Sequence, residues 1–155
     1  MTRKTGPVSM EEQLCFTVYS AGMAIQRAYK PLLDGLGVTY PQYLVMNVLW
    51  NQEGLTVGQI ADALALEPST MTPLLKRLET AGLVTRTRNA DNERQVLIAL
   101  TPAGRALEAR AGCLAEALLE HSGASPAELG DLNGRLKGLR DAIYESLREG
   151  RAPKG

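Results

Sequence analysis

One thiol and two phenols share a face of a predicted N-terminal helix. Five residues stand at positions i, i+4, i+7, i+11 and i+14, which a helix places on one side: Cys15, Tyr19, Gly22, Gln26 and Tyr29. The thiolate is the reactive form of a cysteine, and buried polar tips need hydrogen-bond partners. The stripe therefore indicates either a reactive thiol with phenol partners or a small buried hydrophobe, the usual role of a cysteine on an apolar helix.

The spacing of Cys15 and Tyr29 decides how they can meet. The two residues are 14 positions apart in the sequence, which is about 21 Å along a helix at 1.5 Å per residue, so they do not touch within one chain. If two copies of the helix pack antiparallel across a dimer axis, Tyr29 of one subunit approaches Cys15 of the other. As a reactive site, the stripe therefore requires a second copy of the chain.

A later predicted helix begins with polar residues that suit contacts with nucleic acid. Ser69, Thr70 and Thr72 lie near its N-terminus, and Lys76 and Arg77 follow one turn later. Short hydroxyl side chains at a helix N-terminus approach bases and phosphates closely, aided by the helix dipole. The alternative is that these hydroxyls only cap the helix.

Pro73 conflicts with a place inside this helix, because proline lacks the N–H that the helix ladder uses. Either Thr72 is the N-cap and Pro73 takes the first helical position, or the first turn tolerates a kink. In both cases Pro73 is placed among the residues that face DNA.

Two predicted strands, residues 83–88 and 95–100, flank a polar tip at residues 89–94 and form a hairpin. Helix, turn, helix and hairpin is the order of a winged helix-turn-helix, whose second helix enters the major groove while the hairpin reaches the backbone or minor groove. Arg94 suits a narrow minor groove, Asp91 and Glu93 are placed to hold it extended, and Arg86 adds a cation. An ordinary surface turn of mixed charge is the alternative.

The distribution of charge permits a nucleic-acid partner, although the net charge of the whole chain taken alone argues against one. Seventeen basic and seventeen acidic residues give a formal net charge of zero over 155 residues. Residues 76–94 nevertheless carry five basic side chains against three acidic ones, and this stretch holds the recognition helix and the hairpin. A local excess of two charges is by itself most often a solvated face.

The remaining elements are predicted to be helices, with T-x-x-Q or S-P-x-E capping signatures before three of them and Thr101-Pro102 before a fourth. The predicted fold is mainly α with a small β-hairpin wing, a winged helix-turn-helix with a helical dimerisation region formed by both termini. The predicted divisions are a flexible N-terminus (1–10), N-terminal helices (11–50), the DNA-binding region (51–101), C-terminal dimerisation helices (102–148) and a flexible tail (149–155).

The wing sequence, Asp91 to Thr101 with Arg94, resembles the signature of the MarR family of bacterial regulators. The N-terminal half resembles one branch of that family, the organic hydroperoxide resistance regulators (OhrR). The resemblance covers roughly residues 10–110. Its matching stretches are Gln13-Leu14-Cys15-Phe16, Tyr29-Lys30-Pro31-Leu32-Leu33, Leu36 to Gln42 with Thr39-Tyr40-Pro41-Gln42-Tyr43-Leu44, and Leu74-Leu75-Lys76-Arg77-Leu78.

The resemblance implies roles for the thiol and the phenols. In this branch the terminal helices form a dimer, and phenols matching Tyr29 and Tyr40 hydrogen-bond the reactive cysteine of the partner chain, here Cys15. Tyr19 matches a further tyrosine near the site. Hydrogen bonds to the charged form favour the thiolate, and a thiolate in an apolar pocket is oxidised by organic hydroperoxides to a sulfenic acid. A bulkier sulfur no longer fits the phenols, and the recognition helices shift.

The chain departs from the branch at two positions. Cys113 lies about two turns before the place where two-cysteine OhrR proteins carry the second thiol of an intersubunit disulfide, near residues 120–121. Cys113 is accordingly interpreted as a passive thiol or as a shifted partner, with the passive thiol favoured and a small cellular thiol then capping oxidised Cys15. At the wing, Asn92 stands where the pattern has an acid.

The predicted function is a cytoplasmic, homodimeric repressor that binds a pseudo-palindromic operator in double-stranded DNA and releases it when organic hydroperoxides oxidise Cys15. No cofactor, metal site or membrane contact is expected, because the sequence shows no ligand cluster around His121, no phosphate loop and no apolar run of about 20 residues. The alternatives are a MarR-type regulator that binds a small phenolic ligand with Cys15 inert, and a thiol peroxidase.

Overall fold

The computed structural model describes residues 9–150, which are mostly helical, and the predicted fold class is confirmed. Parts of the predicted flexible ends, residues 1–8 and 151–155, lie outside the described residues. A 3₁₀ turn, Met10–Glu12, precedes the elements α1 Leu14–Leu36, α2 Tyr40–Asn51, β1 Leu55–Thr56, α3 Val57–Leu64, α4 Pro68–Thr80, β2 Val84–Asn89, β3 Asn92–Leu100, α5 Pro102–Ala111, α6 Cys113–Ser122 and α7 Pro126–Arg148.

The described chain divides into two compact units, with the boundary between Ala117 and Leu118 inside α6. The first unit contains a hydrophobic core formed by α2, α3, α4 and the sheet. Its fully buried side chains include Val45, Met46, Leu49, Ile60, Met71, Leu75, Leu78 and Ile98. We refer to residues 38–101 as the winged-helix body.

Local capping sets where the helices of the body begin. The Thr39 hydroxyl accepts from the Gln42 N–H while Gln42 Oε1 accepts from the Thr39 N–H, and Thr56 and Gln59 make the same reciprocal pair. Both are the predicted capping boxes, which satisfy N–H groups that a helix start leaves unpaired. At its other end α1 stops at Gly37, whose φ of 73° is left-handed and suits glycine.

The sheet has three antiparallel strands in the order β1-β3-β2, of which the sequence predicted two. Strand β1 is only Leu55–Thr56, paired with Ile98 and Leu97, and is too short to give an alternating pattern. The hairpin of β2 and β3, which we call the wing, closes through Ala90 and Asp91 alone. The predicted six-residue tip is therefore wrong, because both strands continue into it.

The sequence also predicts one helix from Thr101-Pro102 through Leu107 and Leu118 to about residues 121–123. This prediction is wrong, since the structure has two helices, α5 and α6, with Gly112 between them. Glycine at this position carries the high entropic cost that weakens a helix interior. The N-cap itself is as predicted: the Thr101 hydroxyl accepts from the Gly104 N–H, and Pro102 takes the first helical position.

Three side chains attach α5 to the rest of the first unit. Trp50 Nε1 donates to the Gly104 carbonyl oxygen at 2.9 Å, and Arg105 pairs with Glu53 at 2.7 Å. Arg110 Nη2 donates to the Gly35 carbonyl oxygen near the end of α1 at 2.7 Å. Helix α5 is thus bonded at its start to the winged-helix body and at its end to α1.

The second unit is built on α7, which begins at the predicted Ser125–Glu128 capping box. The sequence predicts that the final helix carries a stripe of apolar residues at helical spacing: Leu129, Leu132, Leu136, Leu139, Ile143 and Leu147. Most of this stripe is exposed in a single chain, as are apolar residues in the first half of α1. Among the described residues, no helix is both long and apolar enough to cross a membrane.

Candidate functional site

Four aromatic rings form a continuous row between α1 and the body. Tyr29 of α1 and Tyr40 of α2 have ring centroids 5.8 Å apart, and Tyr43 stacks on Tyr40 at 6.1 Å with an interplanar angle of 19°. Trp50 meets Tyr43 edge-on at 6.0 Å. Offset and edge-to-face contacts at these distances are the favourable arrangements of aromatic pairs, so the row is a packed unit.

The environment of the row keeps its phenols protonated. Burial raises the pKa of Tyr29, Tyr40 and Tyr43 above the ordinary value of 10.0, and the neighbouring phenolates would raise it further for Tyr29 and Tyr40. For Tyr43, a hydrogen bond with Asn47 opposes part of the effect of burial on the pKa, and a charge on Cys113 adds to it. At neutral pH the three hydroxyls are therefore hydrogen-bond donors, the form needed to stabilise an anion.

The predicted redox residues separate into two groups. Tyr29 and Tyr40 are brought together, whereas Cys15 and Tyr19 lie at the start of α1 and are exposed to solvent. Helix α1 is continuous from Leu14 to Leu36, so Cys15 and Tyr29 stay about 21 Å apart along its axis. One chain holds both halves of the predicted site without joining them.

Cys113, the first residue of α6, is partly buried and donates from Sγ to the Arg110 carbonyl oxygen at 3.2 Å. A negative charge on its thiol would help to raise the pKa of Tyr43, so the second thiol and the aromatic row interact electrostatically. Sequence reasoning missed Tyr43 and Trp50 as parts of this region. Tyr43 follows Tyr40 by one helical turn, which is a usable signal, while Trp50 joins the row only through tertiary packing.

The helix predicted to enter the major groove is α4, and its hydroxyl residues are exposed. Ser69, Thr70 and Thr72 do not cap the helix: the N-cap is Glu67, without a side-chain capping bond, and the Thr72 hydroxyl instead donates to the Pro68 carbonyl oxygen at 3.4 Å. The capping alternative is therefore wrong, and the three hydroxyls lie on the surface of the first turns.

Pro73 lies inside α4. Of the two alternatives for this proline, Thr72 as N-cap with Pro73 at the first helical position is therefore wrong, and the helix tolerates Pro73 near its start. The helix begins instead at Pro68, where a missing N–H costs nothing. Lys76 and Arg77 are exposed, while the opposite face of α4 buries Met71, Leu74, Leu75 and Leu78. The cations thus follow the hydroxyl residues on the solvent side of a helix fixed by its core.

Two arginines of the wing, Arg94 and Arg86, differ in whether a carboxylate pairs with them. Arg94 lies in β3 where the register is irregular, beyond the pairing of Arg88 with Val96, and its backbone N–H donates to Asn92 Oδ1 at 3.2 Å. Within residues 9–150 no carboxylate pairs with Arg94, so Asp91 and Glu93 do not hold it by ion pairs. Arg86, in contrast, pairs with Glu79 at 3.4 Å.

Across the described part of the chain, no three His, Cys, Asp or Glu side chains are grouped closely enough to hold a metal ion.

Comparisons with known proteins agree with this architecture. Residues 38–96 match the MarR family. The chain is 40% identical over 145 residues to the organic hydroperoxide resistance transcriptional regulator of Bacillus subtilis strain 168, covering 94% of this chain and 99% of that protein. It is 45% identical over 143 residues to the HTH-type transcriptional regulator TtmR of Methylorubrum extorquens strain PA1, covering 92% and 73%.

Solved structures give the same result. Reduced AbfR bound to DNA superimposes with a TM-score of 0.72 at 32% identity, covering 87% of this chain and 94% of that one. Overoxidized AbfR bound to DNA gives 0.71 at 33% identity, covering 86% and 94%. The relatives are transcriptional regulators, so the thiol peroxidase alternative is not supported. The sequence similarity to these regulators covers nearly the whole chain, and the chain shares the fold of the solved structures. The chain therefore belongs to the MarR family of transcriptional regulators, as a homologue of the organic hydroperoxide resistance regulators.

Proposed function

We propose that this protein is a homodimeric repressor that binds double-stranded DNA and releases it when organic hydroperoxides oxidise Cys15. The observation that carries the proposal is a packed pair of protonated phenols, the buried Tyr29 near the end of α1 and the half-buried Tyr40 at the start of α2, with an exposed thiol, Cys15, at the other end of α1. Antiparallel packing of two α1 helices brings each thiol to the phenols of the other chain, and two such sites form per dimer.

The DNA-binding part of the proposal rests on α4 and the wing. Helix α4 exposes Ser69, Thr70 and Thr72 on its first turns and Lys76 and Arg77 on the next, which suits entry into a major groove. Arg94 on the wing carries a cation that no described carboxylate neutralises, which suits a phosphate or a narrow minor groove. The DNA-bound structures of AbfR, which has the same fold, support this assignment.

The proposed reaction at Cys15 is a two-electron oxidation. The thiolate attacks the terminal oxygen of R–O–O–H, an S–O bond forms, the O–O bond breaks, and the alkoxide takes up a proton to leave as R–OH. Sulfur is oxidised and the peroxide is reduced, so thiol and hydroperoxide give sulfenic acid and alcohol. The sulfenic acid then condenses with a thiol and loses water. We take a small cellular thiol as the partner, with Cys113 beside Tyr43 as the alternative.

The fold offers a route from this site to the DNA-binding surface. A displaced Tyr40 presses on the row that ends at Trp50, and Trp50 and Arg105 bond the start of α5 to the body. Arg110 bonds the end of α5 to α1. A shift of α1 is thereby passed to the body as a rigid displacement, which changes the spacing of two recognition helices in a dimer.

A gel shift with Cys15→Ser protein tests the redox proposal. Cumene hydroperoxide is expected to release the wild type and the matched Cys113→Ser control from operator DNA and to leave Cys15→Ser bound. Release of Cys15→Ser by the hydroperoxide would contradict the proposal. Release of that variant by a phenolic ligand under reducing conditions would establish the ligand-binding alternative in its place.

Replacement of Arg94 tests the wing. Arg94→Ala is expected to weaken binding to most DNA sequences and to lower the slope of log affinity against log salt concentration by about one, the value for one lost phosphate contact. Fluorescence anisotropy across a salt series measures both quantities. Arg140→Ala, which removes a cation from α7, is the control, and equal affinity of Arg94→Ala and wild type would remove the wing from the DNA-binding surface.

A further inference from the structure

A groove of about 400 Å³ runs beside the phenols, between α1 and the segment that leads into α2. Its walls are mainly apolar, with contributions from Met23, Leu33 and Val38. This volume lies within the range of small-molecule sites, which combine apolar walls with a few placed polar groups. The groove therefore has the size and lining to receive a small organic molecule.

The charges along the groove leave one cation uncompensated. Lys30 and Asp34 both line it, and their side chains pair with each other at 3.0 Å. Arg27 lies one turn earlier on α1, and no carboxylate of residues 9–150 pairs with it. A guanidinium binds a carboxylate through two parallel hydrogen bonds, so an anionic ligand suits this position.

The groove opens onto the proposed sensing site, because Tyr40 forms part of its wall and packs against Tyr29. A molecule held in the groove has one end near the phenols. In the proposed dimer this is the place reached by Cys15 of the other chain, so a hydroperoxide group at that end faces the thiol.

We propose that the groove binds organic hydroperoxides that carry a carboxylate, with Arg27 holding the carboxylate, the apolar walls holding the organic part, and the peroxide directed towards the phenols. This inference rests on the proposed function and adds Arg27 as a residue that sets oxidant preference. The chemical step is the one given above, in which thiol and hydroperoxide yield sulfenic acid and alcohol.

A pair of matched oxidants tests the inference. Cumene hydroperoxide and its para-carboxylate derivative share the ring and the peroxide and differ by one carboxylate. The rate of Cys15 oxidation is measured by mass spectrometry with sulfenic-acid trapping, without DNA and in a Cys113→Ser background. The carboxylated oxidant is expected to react about fivefold faster, because about 1 kcal/mol is the upper free energy of an exposed ion pair and corresponds to that factor. Arg27→Gln is expected to abolish this preference. Arg27→Lys should keep part of it.

The control is Arg88→Gln, which removes a cation from the wing and should leave the preference at its wild-type value. Equal rates for both oxidants in wild type and Arg27→Gln would overturn the inference and leave the proposed function standing. If neither oxidant modifies Cys15, the proposed function itself fails. If Arg27→Gln changes dimer dissociation in sedimentation experiments and not the oxidant preference, the groove is covered by a second copy and the inference is wrong.

Discussion

The winged-helix body and the first half of α1 differ in the solvent exposure of their apolar side chains. In the body, core side chains such as Leu75 and Ile98 are fully removed from solvent, and helix starts are capped by neighbouring residues. On α1, Leu14 is 56% exposed and Val18 is 43% exposed. Contiguous exposed apolar surface marks an interaction site. The winged-helix body thus buries its apolar core within one chain, whereas the part that carries Cys15 exposes apolar side chains, as the proposed dimer requires.

The largest effect expected from this difference is at Leu75. Leu75→Ala leaves a cavity in the core of the body and should lower the free energy of unfolding by about 2–5 kcal/mol. Urea denaturation followed by circular dichroism measures it. Leu14→Ala is the matched control: it removes the same atoms from an exposed site, so it should weaken dimerisation in sedimentation experiments while the fold persists. Equal losses of unfolding free energy in both variants would erase the distinction.

Gly104 gives the next largest effect, because a Cβ there would collide with the Leu83 carbonyl oxygen at the junction of α5 and the body. Overpacking of this kind costs about 1–3 kcal/mol, so Gly104→Ala should lower the melting temperature. Gly35→Ala is the control at an open helical position, where alanine should stabilise by about 0.5–1 kcal/mol. A Gly104→Ala protein as stable as wild type would show that α5 is not fixed to the body.

Removal of a cap should have a smaller effect within the body. Thr56→Ala deletes the hydroxyl that accepts from the Gln59 N–H and should cost about 1 kcal/mol in urea denaturation. Thr80→Ala removes a hydroxyl that donates to the Lys76 carbonyl oxygen in the last turn of α4, where it caps nothing, and should change stability by less than about 0.5 kcal/mol. Equal costs for the two variants would contradict the assigned role of Thr56.

The smallest expected effect is a loss of folding stability that occurs only at alkaline pH. The pKa values of Tyr29, Tyr40 and Tyr43 are higher in the folded chain than in the unfolded chain. As the pH rises, the folded chain therefore keeps these phenol protons after the unfolded chain has released them. The unfolded state then binds fewer protons, so stability is full below about pH 10 and falls as the pH rises through the folded pKa values. Urea denaturation above and below that pH should show the loss, and Tyr40→Phe should reduce it. An unchanged loss in Tyr40→Phe would contradict the contribution of Tyr40.

The features that the sequence predicted correctly depend on interactions between residues three or four positions apart. The capping pairs of Thr39, Thr56 and Ser125 and the N-cap of Thr101 are as predicted, because each requires only its own turn of helix. The winged-helix architecture also followed, since helical and strand periodicities are local patterns. The family followed from short motifs, such as the wing sequence from Asp91 to Thr101, which resemble those of known regulators.

What escaped prediction depends on contacts between distant segments. Strand β1 exists because Leu55 pairs with Ile98, and the wing has a two-residue turn because its strands continue to Asn89 and Asn92. The aromatic row joins α1 to Trp50 through tertiary packing. The joining of Cys15 to the phenols remains a prediction, since it involves a second chain.

The two bonds at the ends of α5 have a consequence for how this protein can change over generations. Trp50 and Arg110 are donors, but their acceptors are the backbone carbonyls of Gly104 and Gly35, which every amino acid possesses. The Arg110 link therefore depends on the identity of its donor alone, because any residue at position 35 offers the same carbonyl oxygen and a Cβ there meets no neighbour. The Trp50 link depends on both residues, because a side chain at position 104 would collide with the Leu83 carbonyl oxygen. Sequence change can thus remove the first link only through its donor and the second link through either residue.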